Sequence, residues 1–237
     1  MRLVALVAVL LALPAAEAVA APTADLMVVG RTGVLRDAAE VRLSQRSVRV
    51  DGGRRCAIGA RTPLGVLAGA RLRLGIRDYA SCGRSARDAG GLYVRQIGRE
   101  RERGRAGWVY KLGTRNGSAA AGDPAGPFGS GGLRRGARVL WFWCELGADG
   151  CQRTLAVRPD RRTADADAPV RVRVTGHDDD GRGVPVEGAR VSLGTSDAVT
   201  SADGRAVLTM PGGRRRLELV ASRAGMVRSF PVAMRRR

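Results

Sequence analysis

Apolar and polar positions in this chain alternate over short stretches and seldom follow a helical period. Val41, Leu43, Val48 and Val50 are spaced by polar residues. Leu72, Leu74 and Ile76 alternate with Arg71, Arg73 and Arg77, and Val170, Val172 and Val174 with Arg171, Arg173 and Thr175. A period of two is the signature of half-buried strands. Leu92-Tyr93-Val94 to Ile97 and Thr154-Leu155-Ala156-Val157 predict further strands, the latter as the last of the first half. The alternation gives way to a continuous apolar run at Val139-Leu140-Trp141-Phe142-Trp143-Cys144, which holds two of the three Trp in a chain that is 4% aromatic. Rings carry large apolar areas, so this run predicts a buried central strand. Upstream, Gly107-Trp108-Val109-Tyr110-Lys111 predicts a second aromatic strand. One short helix is expected after Thr62, with Thr62 as N-cap and Pro63 as first helical residue; Gly65 and Gly69 weaken it.

Breakers divide the chain. The charge run Arg99-Glu100-Arg101-Glu102-Arg103-Gly104-Arg105 predicts an exposed loop. The Gly, Ala and Pro-rich stretch 113–132 is a long loop, either a mobile binding loop or an inert insertion. Residues 159–168 are polar, start at Pro159 and lack an apolar period, which predicts a linker. Beyond it, short strands are punctuated by Ala202-Asp203-Gly204 and Pro211-Gly212-Gly213, the spacing of a β-sandwich. The expected organisation is mainly β: a first domain over 21–158, a linker over 159–168 and a sandwich over 169–237.

The first residues change the picture. Met1-Arg2, the apolar run 3–13, Pro14 and the small-x-small motif Ala18-Val19-Ala20 predict a signal peptide over 1–20. The run is too short for the roughly 20 residues that span a bilayer, so no transmembrane anchor is expected, and the mature chain is expected to be secreted or held in the cell envelope. Four Cys in an exported chain imply disulfides. Three pairings are possible; the sequential one, Cys56–Cys82 with Cys144–Cys151, is preferred, and the second would strap a hairpin. A zinc site is disfavoured by the lack of Cys-x2-Cys spacing.

The formal charge is +19, nearly all of it Arg, with Lys111 the only Lys. Residues 22–158 carry 25 basic and 11 acidic side chains, a net +14, while 169–237 carry 13 and 7, a net +6. Such a charge favours anionic partners or simply a solvated basic surface, and export makes nucleic acid a poor candidate.

Catalytic chemistry has little to draw on. His177 is the only His, and no Gly-x-Ser-x-Gly or His-Glu-x-x-His occurs; it reads as an exposed turn residue. No Ser-x-x-Lys leads to Lys111. Asp178-Asp179-Asp180-Gly181 has carboxylates for calcium but lacks the closing Glu of an EF-hand. No enzyme, cofactor or metal is expected. The ligand-binding candidates are Trp108, Tyr110, Trp141 and Trp143. On a strand Trp141 and Trp143 share one face and Phe142 takes the other. Either both faces are covered within the domain, or the two Trp are presented to a groove.

The motifs Gly107-Trp108-Val109-Tyr110-Lys111 and Leu133-Arg134-Arg135-Gly136-Ala137-Arg138-Val139-Leu140-Trp141-Phe142-Trp143 resemble a domain of unknown function related to the C-terminal domain of transcobalamin. The resemblance covers roughly 24–158 and implies a β-grasp-like α+β domain; Ala137 stands where an acidic residue is common. It transfers no ligand residues. From Val184-Pro185-Val186-Glu187-Gly188-Ala189-Arg190-Val191 through Ala202-Asp203-Gly204-Arg205-Ala206, the second half is similar to carboxypeptidase-regulatory-like, prealbumin- or Ig-like sandwiches. The expected function is a secreted, non-catalytic binding or structural module whose Arg-lined first domain meets an anionic envelope polymer or a protein partner. The alternative is a small-molecule carrier of the cobalamin-binding type, using the aromatic strands and the 113–132 loop.

Overall fold

The computed structural model describes residues 21–237; the signal peptide expected over 1–20 lies outside the described residues. In chain order, the first half forms β1 (Thr23–Val29), β2 (Val34–Arg42), β3 (Arg46–Arg49), β4 (Arg55–Ile58), α1 (Pro63–Ala68), β5 (Leu74–Asp78), β6 (Leu92–Ile97), β7 (Glu100–Arg101), β8 (Ala106–Leu112), β9 (Arg115–Asn116) and β10 (Arg138–Glu145). The aromatic run is β10, and it is central. The main sheet has the order β2-β1-β10-β8-β9. Strand β1 runs parallel to β10, from Asp25 opposite Arg138 to Val29 opposite Phe142. Parallel strands buried on both faces read as continuous apolar runs, which is why β10 lacks alternation. Hairpins flank this parallel pair and α1 lies across one face, a β-grasp arrangement.

Helix α1 starts as its cap predicts: Gly65 N–H donates to Thr62 Oγ1 at 3.0 Å, and the Thr62 hydroxyl donates to Gly59 O at 2.9 Å. Gly65 is required here, since a Cβ on it would lie 2.3 Å from the Gly59 carbonyl oxygen. The run at 99–105, expected as a loop, is a tight hairpin: β7 pairs with β6, and Arg103 bridges Ala106 around Gly104 at φ 57°.

The second half forms β11 (Thr154–Pro159), β12 (Thr163–Ala164), β13 (Pro169–His177), β14 (Gly183–Pro185), β15 (Arg190–Leu193), β16 (Ser196–Val199), β17 (Arg205–Thr209), β18 (Arg216–Ser222) and β19 (Val232–Arg236). Two sheets, β11-β13-β14 with β17 also on β13, and β12-β19-β18-β15-β16, enclose a Val-rich core. Strand β11, expected to close the first sheet, pairs instead with β13 along its whole length, and Leu155 and Val157 enter the sandwich core. The stretch 159–168 is not a bare linker either: Ala164 is buried in that core and β12 pairs with β19. Two residues of strand with one inward side chain leave no readable period, so the pattern missed them.

A third apolar cluster joins the two halves. Met27, Leu140, Phe142 and Cys144, on the side of β1 and β10 away from α1, pack against Val227, with Phe230 and Cys151 beside them. One face of β10 is thus buried against its own helix and small strands, the other against the sandwich.

Both disulfides form in the sequential pairing, Cys56–Cys82 and Cys144–Cys151, and no described cysteine is free. Cys144–Cys151 closes a short loop, with a sequence separation of 7. A Cys144→Ser, Cys151→Ser double variant is expected to lose ~2 kcal/mol by the loop-entropy argument. Urea unfolding of the two proteins measures it; an unchanged midpoint would show that the loop is held by its other contacts, among them Cys151 N–H to Asp179 Oδ2 at 3.1 Å.

Candidate functional site

Strands β8 and β10 place the four candidate aromatics on one face of the sheet, because Trp108 pairs with Trp143 and Tyr110 with Trp141 across the ladder. All four are buried, and they belong to the core that also holds α1. Tyr110 and Trp141 meet at 5.4 Å between ring centroids; Trp108 and Trp143 meet edge to face at 5.6 Å, geometry that favours aromatic pairs. Their polar tips are mostly satisfied. Trp108 Nε1–H donates to Glu100 O (3.1 Å), Trp141 Nε1–H to Pro63 O (3.4 Å) and the Tyr110 hydroxyl to Ala119 O (2.6 Å). Trp143 Nε1 is buried with no partner.

The expected groove exists, but for three of these residues. A cleft of about 430 Å³ opens where β6 and β8 meet without pairing, with Trp108, Tyr110 and Trp141 in its lining. Trp143, on the far side of Trp108 along the same face, does not line the cleft and borders separate grooves with Arg31 and Gln152. The mouth carries Tyr79 and Tyr93, 67% and 38% exposed, with ring centroids 6.2 Å apart. These two were missed. The signal was present for Tyr93: it alternates with Leu92 and Val94, so it must leave the face on which they are buried. Tyr79 lies just past the end of β5 and has no such pattern.

The fourth wall comes from the 113–132 loop. Gly117, Ala119, Ala120 and Ala121 line the cleft. A Cβ on Gly117 would fall 2.1 Å from the Tyr110 ring, so the loop can lie this close only without a side chain there. It is tied down by Leu64 N–H to Ala121 O at 2.8 Å and Ser118 N–H to Pro127 O at 3.0 Å. The loop thus forms a hydrogen-bonded wall of the cleft, which is neither of the two readings as they stood.

The cleft lining has no His, Cys, Lys or carboxylate. Burial pushes the Tyr110 phenol up to about 12, helped by Asp123; burial and the Glu102 carboxylate push Tyr93 to about 12 as well. Both phenols stay protonated at neutral pH, so neither is a base, and the Tyr110 proton is already given to Ala119 O. The site can hold a ligand but carries no acid–base pair or nucleophile.

The remaining candidate chemistry is dispersed. His177 is half-buried rather than exposed, and its Nδ1 lies 3.1 Å from Gly181 O. The three Asp do not converge. Asp178 Oδ1 accepts from Arg182 N–H, Asp179 Oδ2 from Cys151 N–H, and Asp180 pairs with Arg182. Among the described residues, Cys56, Asp78 and Cys82 come within metal-ligand reach of one another, but the two sulfurs are joined and offer no thiolate. Lys111 is fully buried at the junction of the two halves. Its Nζ donates to Thr154 Oγ1 (3.2 Å), His177 O (3.2 Å) and Asp178 O (2.8 Å). Burial pulls its pKa down to about 8, against the opposing pull of Asp179 and Asp178.

Among the described residues no helix is long and apolar enough to cross a membrane. No known family profile and no curated protein matches the chain, so the resemblances to the transcobalamin-related and carboxypeptidase-regulatory-like domains rest on their motif residues alone. Among solved structures the chain is similar to the D00-D0 domain of intimin, at 15% identity over 82% of this chain and 93% of that one, with a TM-score of 0.26. A superposition that loose carries no conclusion about this chain.

Proposed function

We propose that the protein is an exported, non-catalytic binding module in two domains, and that its first domain holds an apolar, ring-bearing ligand in the cleft between β6 and β8. The observation that carries this reading is the cleft itself. It is of small-molecule size, walled by aromatic rings and fixed backbone, with phenol hydroxyls as its only acidic groups. The two disulfides support an oxidising compartment, in line with removal of residues 1–20 on export. The carrier reading drawn from the transcobalamin-type motifs fits the same place. At about 430 Å³ the cleft suits a ligand of one to three fused rings, or one edge of a corrinoid.

Thermal denaturation of the oxidised mature chain against indole, riboflavin and cobalamin tests this. A ligand present at about 100 times its dissociation constant adds ~2.7 kcal/mol to stability. Tyr93→Ala, at the half-open mouth, is expected to weaken that ligand about tenfold and to cost the unliganded protein only about 1–2 kcal/mol, because the ring is partly exposed and outside the core. Binding that ignores Tyr93→Ala would place the ligand elsewhere. The absence of any shift across the panel would remove the cleft as a site for these ring systems.

A further inference from the structure

The outer face of the sandwich sheet β11-β13-β17 carries a row of arginines. In the strand register Arg158 lies opposite Arg173, and Arg173 lies opposite Arg205. Three like charges therefore stand on three adjacent strands, spaced about 5 Å apart by the ladder. Arg171, two positions from Arg173, shares the same face. Opposite Arg171 stands Val207, which is 57% exposed. All four arginines are exposed, and with Pro159 and Asp160 they line a groove of about 430 Å³. Among the described residues no carboxylate lies within 4.0 Å of Arg158, Arg171 or Arg173; Arg205 alone has one, Asp203 at 3.3 Å.

Like charges directly opposite each other destabilise a sheet, and Arg173 has one on each side. The fold does not need them: the inward residues of these strands, Val157, Val172, Val174 and Ala206, make the core, while the arginines point away from it. We propose that this row is a docking surface for an extended glycan bearing sulfate or phosphate groups. An oxyanion accepts hydrogen bonds from several guanidinium forks together and so relieves the repulsion between them. Exposed Val207 and half-buried Pro159 supply apolar surface beside the charges for the faces of sugar rings. Other occupants are less well matched. Strand β13 is interior and its backbone groups are already paired, so a peptide cannot add there as a strand. A second copy would bring like charge against like charge. Nucleic acid is a poor partner for an exported chain, and the glycan likewise rests on the exported location proposed above. The site differs from the aromatic cleft, so either fails without the other.

The test is titration calorimetry of the oxidised mature chain at 150 mM salt with a heparin dodecasaccharide, neutral dextran and poly-glutamate. Heparin is expected to bind and dextran not. Arg173→Glu is expected to weaken heparin at least tenfold and, in the same protein without ligand, to raise the melting temperature by relieving two opposed pairs. The control is Arg216→Gln with Arg235→Gln, an opposed pair on the other sheet. It removes the same two units of charge and is expected to weaken heparin less than twofold. An equal loss in the control would mean that net charge alone attracts the polymer and would overturn the site. So would poly-glutamate binding as tightly with the same dependence on Arg173, or heparin binding that Arg173→Glu leaves intact.

Discussion

Trp141→Ala is expected to cost about 3–5 kcal/mol of stability, the range for emptying an aromatic from a core. Trp141 is 2% exposed and sits mid-strand in β10, the strand shared by the first-half core and the cluster that joins the two halves. Its loss leaves a cavity beside Tyr110, whose ring meets it at 5.4 Å and is tethered by its bond to Ala119 O. It also strips the donor from Pro63 O, at the first residue of α1. Trp141→Phe keeps most of the packing and loses only that bond, at about 1 kcal/mol. Urea unfolding with both tryptophan variants separates the two contributions. A Trp141→Ala cost below 1 kcal/mol would falsify the reading of β10 as the organising strand. Because Trp141 forms the floor of the cleft as well as part of the core, its replacement reports on stability and binding together. Tyr93 at the mouth is the cleaner probe of the ligand.

The second large effect is a rise in stability with alkaline pH. The folded-state pKa of Lys111, about 8, lies below its ordinary 10.5. Between these values the unfolded chain binds more protons than the folded one, so unfolding becomes harder as pH rises. Below pH 8 the protein carries the cost of burying the ammonium; by pH 10 most of that cost is gone. The gain is roughly 2–3 kcal/mol, given 1.36 kcal/mol per unit and some solvent screening. Above pH 10 the sign reverses: Tyr93 and Tyr110, raised to about 12, hold protons that the unfolded chain has lost. Stability should therefore peak near pH 10. Lys111→Met should abolish the rise from pH 8 to 10 and leave the later fall. Denaturant midpoints across this range measure both, and with no free thiol among the described cysteines disulfide exchange does not intrude. A wild-type curve flat from pH 7 to 10 would show that the ammonium is better solvated than its contacts imply. A rise that survives in Lys111→Met would assign it to another group.

Lys111 also shows how far the chain could be read in advance. As the only Lys, at the end of an aromatic strand, it was visible as an oddity. Its partners, Thr154 and the carbonyls of His177 and Asp178, lie more than forty residues away, and no spacing announces them. The cleft was half legible. The alternation put Trp141 and Trp143 on one face; that Trp108 and Tyr110 join them there follows from the register between β8 and β10. That the cleft would take in three of them and leave out Trp143 depends on what covers each end of the strands.

Local pattern by itself determined most of the strands, the capped start of α1, the buried aromatic run and the short Cys144–Cys151 loop, because side-chain period and short loops are properties of neighbouring residues; the sequential pairing of Cys56 with Cys82, 26 residues apart, was a preference among three that the tertiary structure decided. Tertiary structure alone decided the rest. It gave Thr154–Pro159 to the sandwich and buried the second face of β10 under Val227. It closed the cleft with the 113–132 loop and aligned Arg158, Arg173 and Arg205 in one row. Each of these depends on register between strands distant in sequence. Period two says which residues share a face, and only the pairing says which face of which strand it meets.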